Sequence, residues 1–259
     1  MTTRMPALFA GHGSPLNAIE ENRFSRGWEE VGRRLPKPRA ILAVSAHWYT
    51  HGLLTNDEAH PKQVYDMYGF PQALYDLAYP VPGDPALAHE LVERLDGEAC
   101  VDNSWGIDHG TWSVLHRMFP EADVPVVQLS VDGDREPAAH LELGQRLAFL
   151  RDEGVMVFGS GNVVHNLGMV DWSSDNGAEW NKHFDAGVRA AIERRDLDLV
   201  ADWGRLAGAE LAVPTPEHFL PLLFVLGATS GDDAMETFSD GYTLGSMAMT
   251  GYLFGRARA

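Results

Sequence analysis

Cysteine is almost absent from this 259-residue chain: Cys100 stands alone, so no intramolecular disulfide can close a loop and no Cys-rich cluster can hold zinc. Any metal must be held by histidine and carboxylate ligands, and Cys100 itself reads as a small buried hydrophobe. Long apolar runs are also missing. The longest, residues 219–228 and 40–46, fall short of the roughly 18 residues a bilayer span requires. The N-terminus has no charged segment leading into an apolar stretch and a cleavage site. The expectation is a soluble, cytoplasmic protein without a membrane partner. Basic residues are scarce as well. Lys and Arg number 20 against 37 Asp and Glu, a formal net charge of −17 with no cationic cluster, which argues against a nucleic-acid partner. Several catalytic signatures are missing in turn: no HExxH helix, no GxSxG elbow and no GxxxxGK[ST] phosphate loop. Gly159-Ser160-Gly161 lacks the third glycine of a dinucleotide fingerprint.

What is present is an ordinary globular composition, 45% hydrophobic, with no linker, repeat or low-complexity tract. Residues 5–10 form a short apolar run, 20–35 carry Phe24, Trp28, Val31 and Leu35 at roughly helical spacing, and 40–46 read as a buried strand. That order fits a parallel β-α-β crossover. Further strands are expected at 124–131 and 155–159, and helices at 85–95, 111–119, 137–151, 178–194, 197–206 and 217–227. Residues 241–254 are read as a final strand with an antiparallel option. The fold class is α/β: a single domain over 1–259 with a central mixed, mostly parallel sheet flanked by helices. Between 60 and 85 lies a loop rich in Pro, Gly and Tyr, where Tyr65, Tyr68, Phe70, Tyr75 and Tyr79 either line a pocket for a flat substrate or pack the loop onto the core.

Four histidines occupy short, unlike contexts: His12 between Gly11 and Gly13, His47 before Trp48, His165 before Asn166, and His218 after Pro216-Glu217. Three directly follow apolar runs, which places them in the crevice beyond the carboxyl ends of strands, where ligand groups collect in open α/β sheets. Imidazole is the commonest metal ligand and the usual acid/base group near neutral pH, so a histidine-built metal site is the first hypothesis. The glycines around His12 permit turn geometry and close approach of a ligand. His218 is read as the start of an apolar helix. His51, His60, His89, His116, His140 and His183 lack such placement and are read as surface or structural.

The segments Gly-His-Gly-Ser-Pro at 11–15, Ser-Ala-His-Trp at 45–48, Tyr-Gly-Phe-Pro at 68–71, Asp-His-Gly-Thr-Trp at 108–112, Gly-Ser-Gly-Asn at 159–162 with His165-Asn166, and Pro-Glu-His-Phe at 216–219 carry a likeness. Together, and in order, they resemble the class III extradiol ring-cleavage dioxygenases of LigB type, and within them the 4,5-DOPA dioxygenase branch. The resemblance implies a non-haem Fe(II) site with open coordination positions suited to dioxygen. His12 and His47 match the first two ligands, with His218 as the third and Glu217 as the alternative. Zn(II) can occupy such a site in a redox-silent form. His165 matches the catalytic base and is also a candidate fourth ligand. His109 matches a second active-site histidine that meets substrate or dioxygen. Ser14, Trp48, Tyr68 and Phe70 are the candidate substrate-binding residues.

The implied reaction is cleavage of a catechol, DOPA or a relative, to a muconic semialdehyde in aromatic compound metabolism. The partners are a small aromatic diol and O2, with oligomeric state left open and a homo-oligomer compatible. Two rival readings remain at this point: a zinc-dependent hydrolase, and a non-catalytic binding protein of the Memo type.

Overall fold

The computed structural model describes residues 4–255, so the ends of the expected 1–259 domain lie outside the described residues. In chain order the elements are β1 (Ala7–Gly11), α1 (Arg23–Arg34), β2 (Ala40–Thr50), β3 (Leu53–Thr55), α2 (Gln72–Tyr75), α3 (Pro85–Arg94), β4 (Ala99–Val101), α4 (His109–Met118), β5 (Val126–Asp132), α5 (Pro137–Leu147) and β6 (Val155–Gly161). There follow α6 (Glu179–Glu193), α7 (Leu197–Ala201), α8 (Ala209–Ala212), α9 (Leu220–Gly227), β7 (Ala234–Phe238), β8 (Tyr242–Thr243), β9 (Met247–Ala248) and β10 (Gly251–Gly255).

Eight strands form one sheet in the order β4-β3-β5-β2-β6-β1-β10-β7. Its centre, β5-β2-β6-β1, is parallel throughout, while β10 and β7 extend it antiparallel on one side and β3 meets β5 antiparallel on the other. This is the mixed, mostly parallel sheet flanked by helices that the sequence implies.

The centre is parallel because its strands are apolar on both faces and need cover on both. Along β2, Ala40, Leu42 and Val44 join the core against α3, α5, α6 and α9, while Ile41 and Ala43 join the core under α1 and α4 with Trp28 and Trp112. Helix α1 starts where Asn22 Oδ1 accepts from the Phe24 and Ser25 amides (2.9 and 3.0 Å) and Ser25 Oγ accepts from the Asn22 amide (2.9 Å), a reciprocal cap.

Several expectations shift. The strand read at 40–46 continues to Thr50 through a register irregularity between Val44 and Tyr49, so His47 lies inside β2 rather than at its end. The helix read from 217 starts at Leu220, and His218 sits in the turn before it, with Phe219 as the capping residue. Helix α5 stops at Leu147 and passes into a 3-10 turn, Ala148–Glu153. The last strand divides into β8, β9 and β10, and the three-residue strands β3 and β4 are too short for alternation to announce them. Cys100 is exposed, not buried: on the edge strand β4 the pleat turns Ala99 inward and Cys100 outward. No helix among the described residues is long and apolar enough to cross a membrane.

Candidate metal centre

The carboxyl ends of β1 and β6 and the irregular stretch of β2 converge, and the chain brings five histidines to that point. His12 follows β1, His47 sits in β2, His165 lies four residues past β6, His109 opens α4, and His218 precedes α9. The rings touch in sequence. His12 and His47 have centroids 4.9 Å apart, His47 and His109 4.0 Å, His218 stands 5.3 Å from both His12 and His47, and His165 lies flat on His218 at 3.6 Å and 6°. Ligand atoms of His12, His47 and His109 fall within 4.8 Å of one another, as do those of His165, Glu217 and His218.

Backbone constraints aim these rings. The amide of His12 donates to Gly161 O (3.0 Å), tying the ends of β1 and β6, and Asn17 Nδ2 donates to His12 O (3.1 Å). Gly13 takes φ +56, the left-handed geometry that glycine allows without cost. Gly11 is small for a different reason than ligand access: a Cβ there would meet the Met249 backbone at 2.7 Å. Asp108 positions His109 indirectly. Its carboxylate is fully buried, accepts from Ser45 Oγ (2.7 Å), Trp105 Nε1 (3.2 Å), Gln128 Nε2 and the Thr111 amide (3.2 Å), and so caps α4.

Hydrogen bonds also decide where the ring protons sit. Ser160 Oγ spends its proton on Gly110 O (2.5 Å), so toward His12 Nδ1, 2.9 Å away, it can only accept. His12 therefore carries its proton on Nδ1 and presents an Nε2 lone pair to the centre. The Asp66 carboxylate does the same twice: Oδ2 accepts from His47 Nδ1 (2.9 Å), and Oδ1 accepts from His109 Nδ1 (2.9 Å) and from the His109 amide (3.0 Å). Glu217 Oε1 accepts from His218 Nδ1 (3.2 Å) and from Thr215 Oγ1 (2.7 Å). The Nε2 atoms of His12 and His47 face each other at 3.1 Å. Two ligands about 2.1 Å from a shared divalent ion, at about a right angle, stand about 3 Å apart, so this donor set fits such an ion.

The electrostatics agree. Burial, and then the neighbouring imidazoles, hold His12 well below its ordinary value. Burial pushes His165 down to about 2, with His218 adding to the effect, and burial takes His218 to about 4 despite Glu217. Burial also opposes protonation of His47, yet the Asp66 hydrogen bond and the Asp108, Asp66 and Glu217 charges raise it overall. Burial works against the charged form of Asp66, but the hydrogen bonds from His109 and His47 hold it well below the usual carboxylate range. Glu217 is brought to about 2 against the same opposing burial by His218 and Thr215. At neutral pH the centre thus holds neutral rings at His12, His165 and His218, backed by two carboxylates.

Of the four candidate substrate residues, Trp48 is buried, Phe70 is half-buried, and Tyr68 is 91% exposed. Ser14 caps a 3-10 turn through the Leu16 amide (3.3 Å). In the Tyr-rich loop, Tyr79 is core, its hydroxyl donating to Leu115 O and Phe119 O (3.0 and 2.9 Å). The remaining histidines are surface or structural: His51 pairs with Asp134, His89 with Asp57, His116 packs edge-on against Tyr79, and His140 is buried in α5. Sequence reasoning missed Asp66 and Ser160 as partners of the site. Asp66 sits among aromatic residues with no spacing that ties it to a histidine, and Ser160 stands 148 positions from His12.

The profile of the family described as the catalytic LigB subunit of aromatic ring-opening dioxygenase matches residues 5–255. A protein of Escherichia coli (strain K12) named 4,5-DOPA dioxygenase extradiol is 47% identical, over 96% of this chain and 94% of that protein. A protein of Beta vulgaris with the same name is 37% identical over 95% of each. A crystal structure of an uncharacterized Escherichia coli K12 protein superimposes with a TM-score of 0.84 at 42% identity, covering 97% of this chain and 100% of that one.

Proposed function

The chain belongs to the LigB family of aromatic ring-opening dioxygenases, and on that premise we propose that it cleaves a DOPA-like catechol with O2, extradiol fashion, at a mononuclear Fe(II) site, giving a muconic semialdehyde. The observation that carries the reading is the set of converging imidazoles whose Nδ1 protons are each engaged by Ser160, Asp66 or Glu217, leaving Nε2 lone pairs for a metal. His12, His47 and His218 are the ligands of this reading. His218 stands equally far from the other two rings, and Glu217 Oε1 is already engaged by Thr215 and His218 Nδ1, which favours His218 over Glu217.

When bound, Fe(II) supplies a Lewis-acidic, redox-active centre with open positions for the two catechol oxygens and dioxygen. The protein does the rest. His165, neutral at physiological pH and free of side-chain hydrogen bonds among the described residues, accepts a catechol proton at a ring nitrogen. The nearby Glu217 charge stabilises the imidazolium that results. The stacked His218 ring fixes the plane of His165, and this contact also makes His165 the candidate fourth ligand of the resting site. His109, its Nδ1–H held by Asp66, turns Nε2 toward the centre to orient substrate or dioxygen, a preorganised role worth a few kcal/mol. Trp48, Phe70, Ser14 and Tyr68 are the residues this reading assigns to substrate contact. Zn(II) fits the same donors and gives an inactive form. This reading assigns the reaction to the cytoplasm, a compartment in which an exposed thiol such as Cys100 would stay reduced.

The test is oxygen uptake by protein stripped of metal and reloaded anaerobically with Fe(II), on addition of L-DOPA and a small catechol panel, beside Zn(II)-loaded protein. Stoichiometric uptake and a coloured semialdehyde in the iron form alone are expected. Hydrolytic turnover with zinc, or no uptake with any catechol despite bound iron, would overturn the reading.

A further inference from the structure

We propose that Asp66 is a positioning residue that holds one metal-binding histidine and one substrate-side histidine in their working tautomers at once, so that its two oxygens are not interchangeable. This rests on the metal-centre reading of the same cluster. The carboxylate is part-buried, with 12% side-chain exposure, and it bridges His47 on Oδ2 and His109 on Oδ1. Because a carboxylate only accepts, both rings must place a proton on Nδ1 and turn Nε2 inward. On the Oδ1 side a second donor is present, the His109 backbone amide at 3.0 Å, and a backbone N–H cannot change its role.

That asymmetry makes Asp66→Asn an informative change. The amide oxygen of the new residue must take the Oδ1 place, since an amide nitrogen there would oppose the fixed His109 N–H. Its NH2 group must then face His47 Nδ1, which is compatible only with a lone pair on that nitrogen. The neutral His47 ring shifts its proton to Nε2, where it meets the Nε2 lone pair of His12 at 3.1 Å and forms a hydrogen bond. The variant is therefore self-satisfied without metal and occluded toward metal. In the wild type with both rings neutral, two lone pairs oppose each other across the same gap, an arrangement that a bound cation relieves.

The ordering of variants follows. Asp66→Ala leaves the His47 Nδ1 proton to water and keeps the Nε2 lone pair accessible, so it costs metal affinity about 10–100-fold, the usual effect of losing such a partner. Asp66→Asn, though closer in shape to the original, costs more than Asp66→Ala. A residue needed only for packing would give the reverse order, with the near-isosteric amide the milder change.

The experiment measures three quantities on wild type, Asp66→Asn and Asp66→Ala. They are histidine tautomers of the metal-free proteins by long-range 1H–15N NMR at alkaline pH, Zn(II) and Co(II) affinity by chelator competition, and thermal unfolding without metal. The expected wild-type result is Nδ1–H at both His47 and His109. In Asp66→Asn, His47 carries Nε2–H while His109 is unchanged, metal affinity falls below that of Asp66→Ala, and metal-free stability is retained. The proposal is overturned by an Nε2–H tautomer at either ring of the wild type. It is equally overturned by wild-type affinity in Asp66→Asn, or by affinity and stability falling together, with the alanine variant worse. If Asp66→Asn does not fold, the wild-type tautomers and the Asp66→Ala affinity decide. Failure of the wild type to bind metal would instead overturn the metal-centre reading, and the tautomers would still judge Asp66.

Discussion

A histidine binds a metal through a lone pair, so at the residue scale the side chain opposite each ring matters as much as the ring. Ser160 illustrates this for His12, since its hydroxyl can only accept from Nδ1 once its own proton is committed to Gly110 O. Ser160→Ala removes the acceptor from a fully buried ring. Metal affinity is expected to fall about 10–100-fold, and stability by about 1–3 kcal/mol for the stranded N–H, read by Co(II) titration and thermal unfolding. His165 differs in making, among the described residues, no side-chain hydrogen bond that fixes its proton. His165→Gln should lower kcat by about 100–10,000-fold while leaving iron content intact, as loss of a general base does. Full turnover by iron-loaded His165→Gln would remove His165 from that role.

Elements set where the side chains can be. The parallel centre of the sheet delivers β1, β2 and β6 side by side, and the amide tie from His12 to Gly161 O locks two of their ends together. At the end of β6, a Cβ on Gly161 would stand 2.1 Å from His218 O and 3.0 Å from His218 C, both backbone atoms. Gly161→Ala must therefore displace the turn that carries His218. A stability loss of about 1–3 kcal/mol is expected from overpacking, with metal affinity falling in parallel. Gly204→Ala is the control, since nothing lies within 4 Å of its Cβ position. Reduced chain entropy there should leave affinity unchanged and stability equal or slightly raised. Equal metal affinity in both variants would show that the turn does not depend on the glycine.

Across the whole molecule, Arg151 joins parts that are far apart in the chain. Fully buried, it donates to Met5 O (2.7 Å) and Phe254 O (3.3 Å) beside the sheet, to Ala228 O (2.7 Å) past α9, and to both oxygens of Asp233 (2.7 and 2.9 Å). Arg151→Met strands a carboxylate whose side chain is 1% exposed, which should cost about 3–5 kcal/mol and, at about 2–4 °C per kcal/mol, lower Tm by about 6–20 °C. Burial raises the Asp233 carboxyl, but the Arg151 hydrogen bonds hold it below its ordinary value. A depressed folded value means the contribution is complete above the unfolded value of about 3.9 and fades as pH falls through the folded one. The Tm gap between wild type and variant should therefore narrow as the pH falls below about 3.9, and a gap unchanged by acid would show that the pair is not the source. Affinity for metal should not change, since none of these contacts reaches the histidines.

Four of the five histidines were legible in the chain because ligand chemistry depends on residue type and local context. His12 between two glycines, His47 at the close of an apolar run, His165 past a buried strand and His218 after Pro216-Glu217 stood out over a few residues, whereas His109 was found only through the family resemblance. The α/β class was legible for the same reason: buried strands and amphipathic helices have different periods, readable over about ten residues. Neither the orientation of the rings nor the protonated nitrogen could be read that way. His12 meets its acceptor 148 positions away, and His109 meets Asp66 across 43. Sheet order, in which β6 inserts between β1 and β2, brings Ser160 to His12, and the path of the Tyr-rich loop brings Asp66 to His47 and His109. Sequence alone determined which groups this protein offers for the proposed metal binding and proton transfer. Tertiary structure decided which nitrogen of the His12, His47, His109 and His218 rings is available to do so, because a tautomer is chosen by its hydrogen-bond partner, and these partners meet only in the folded chain.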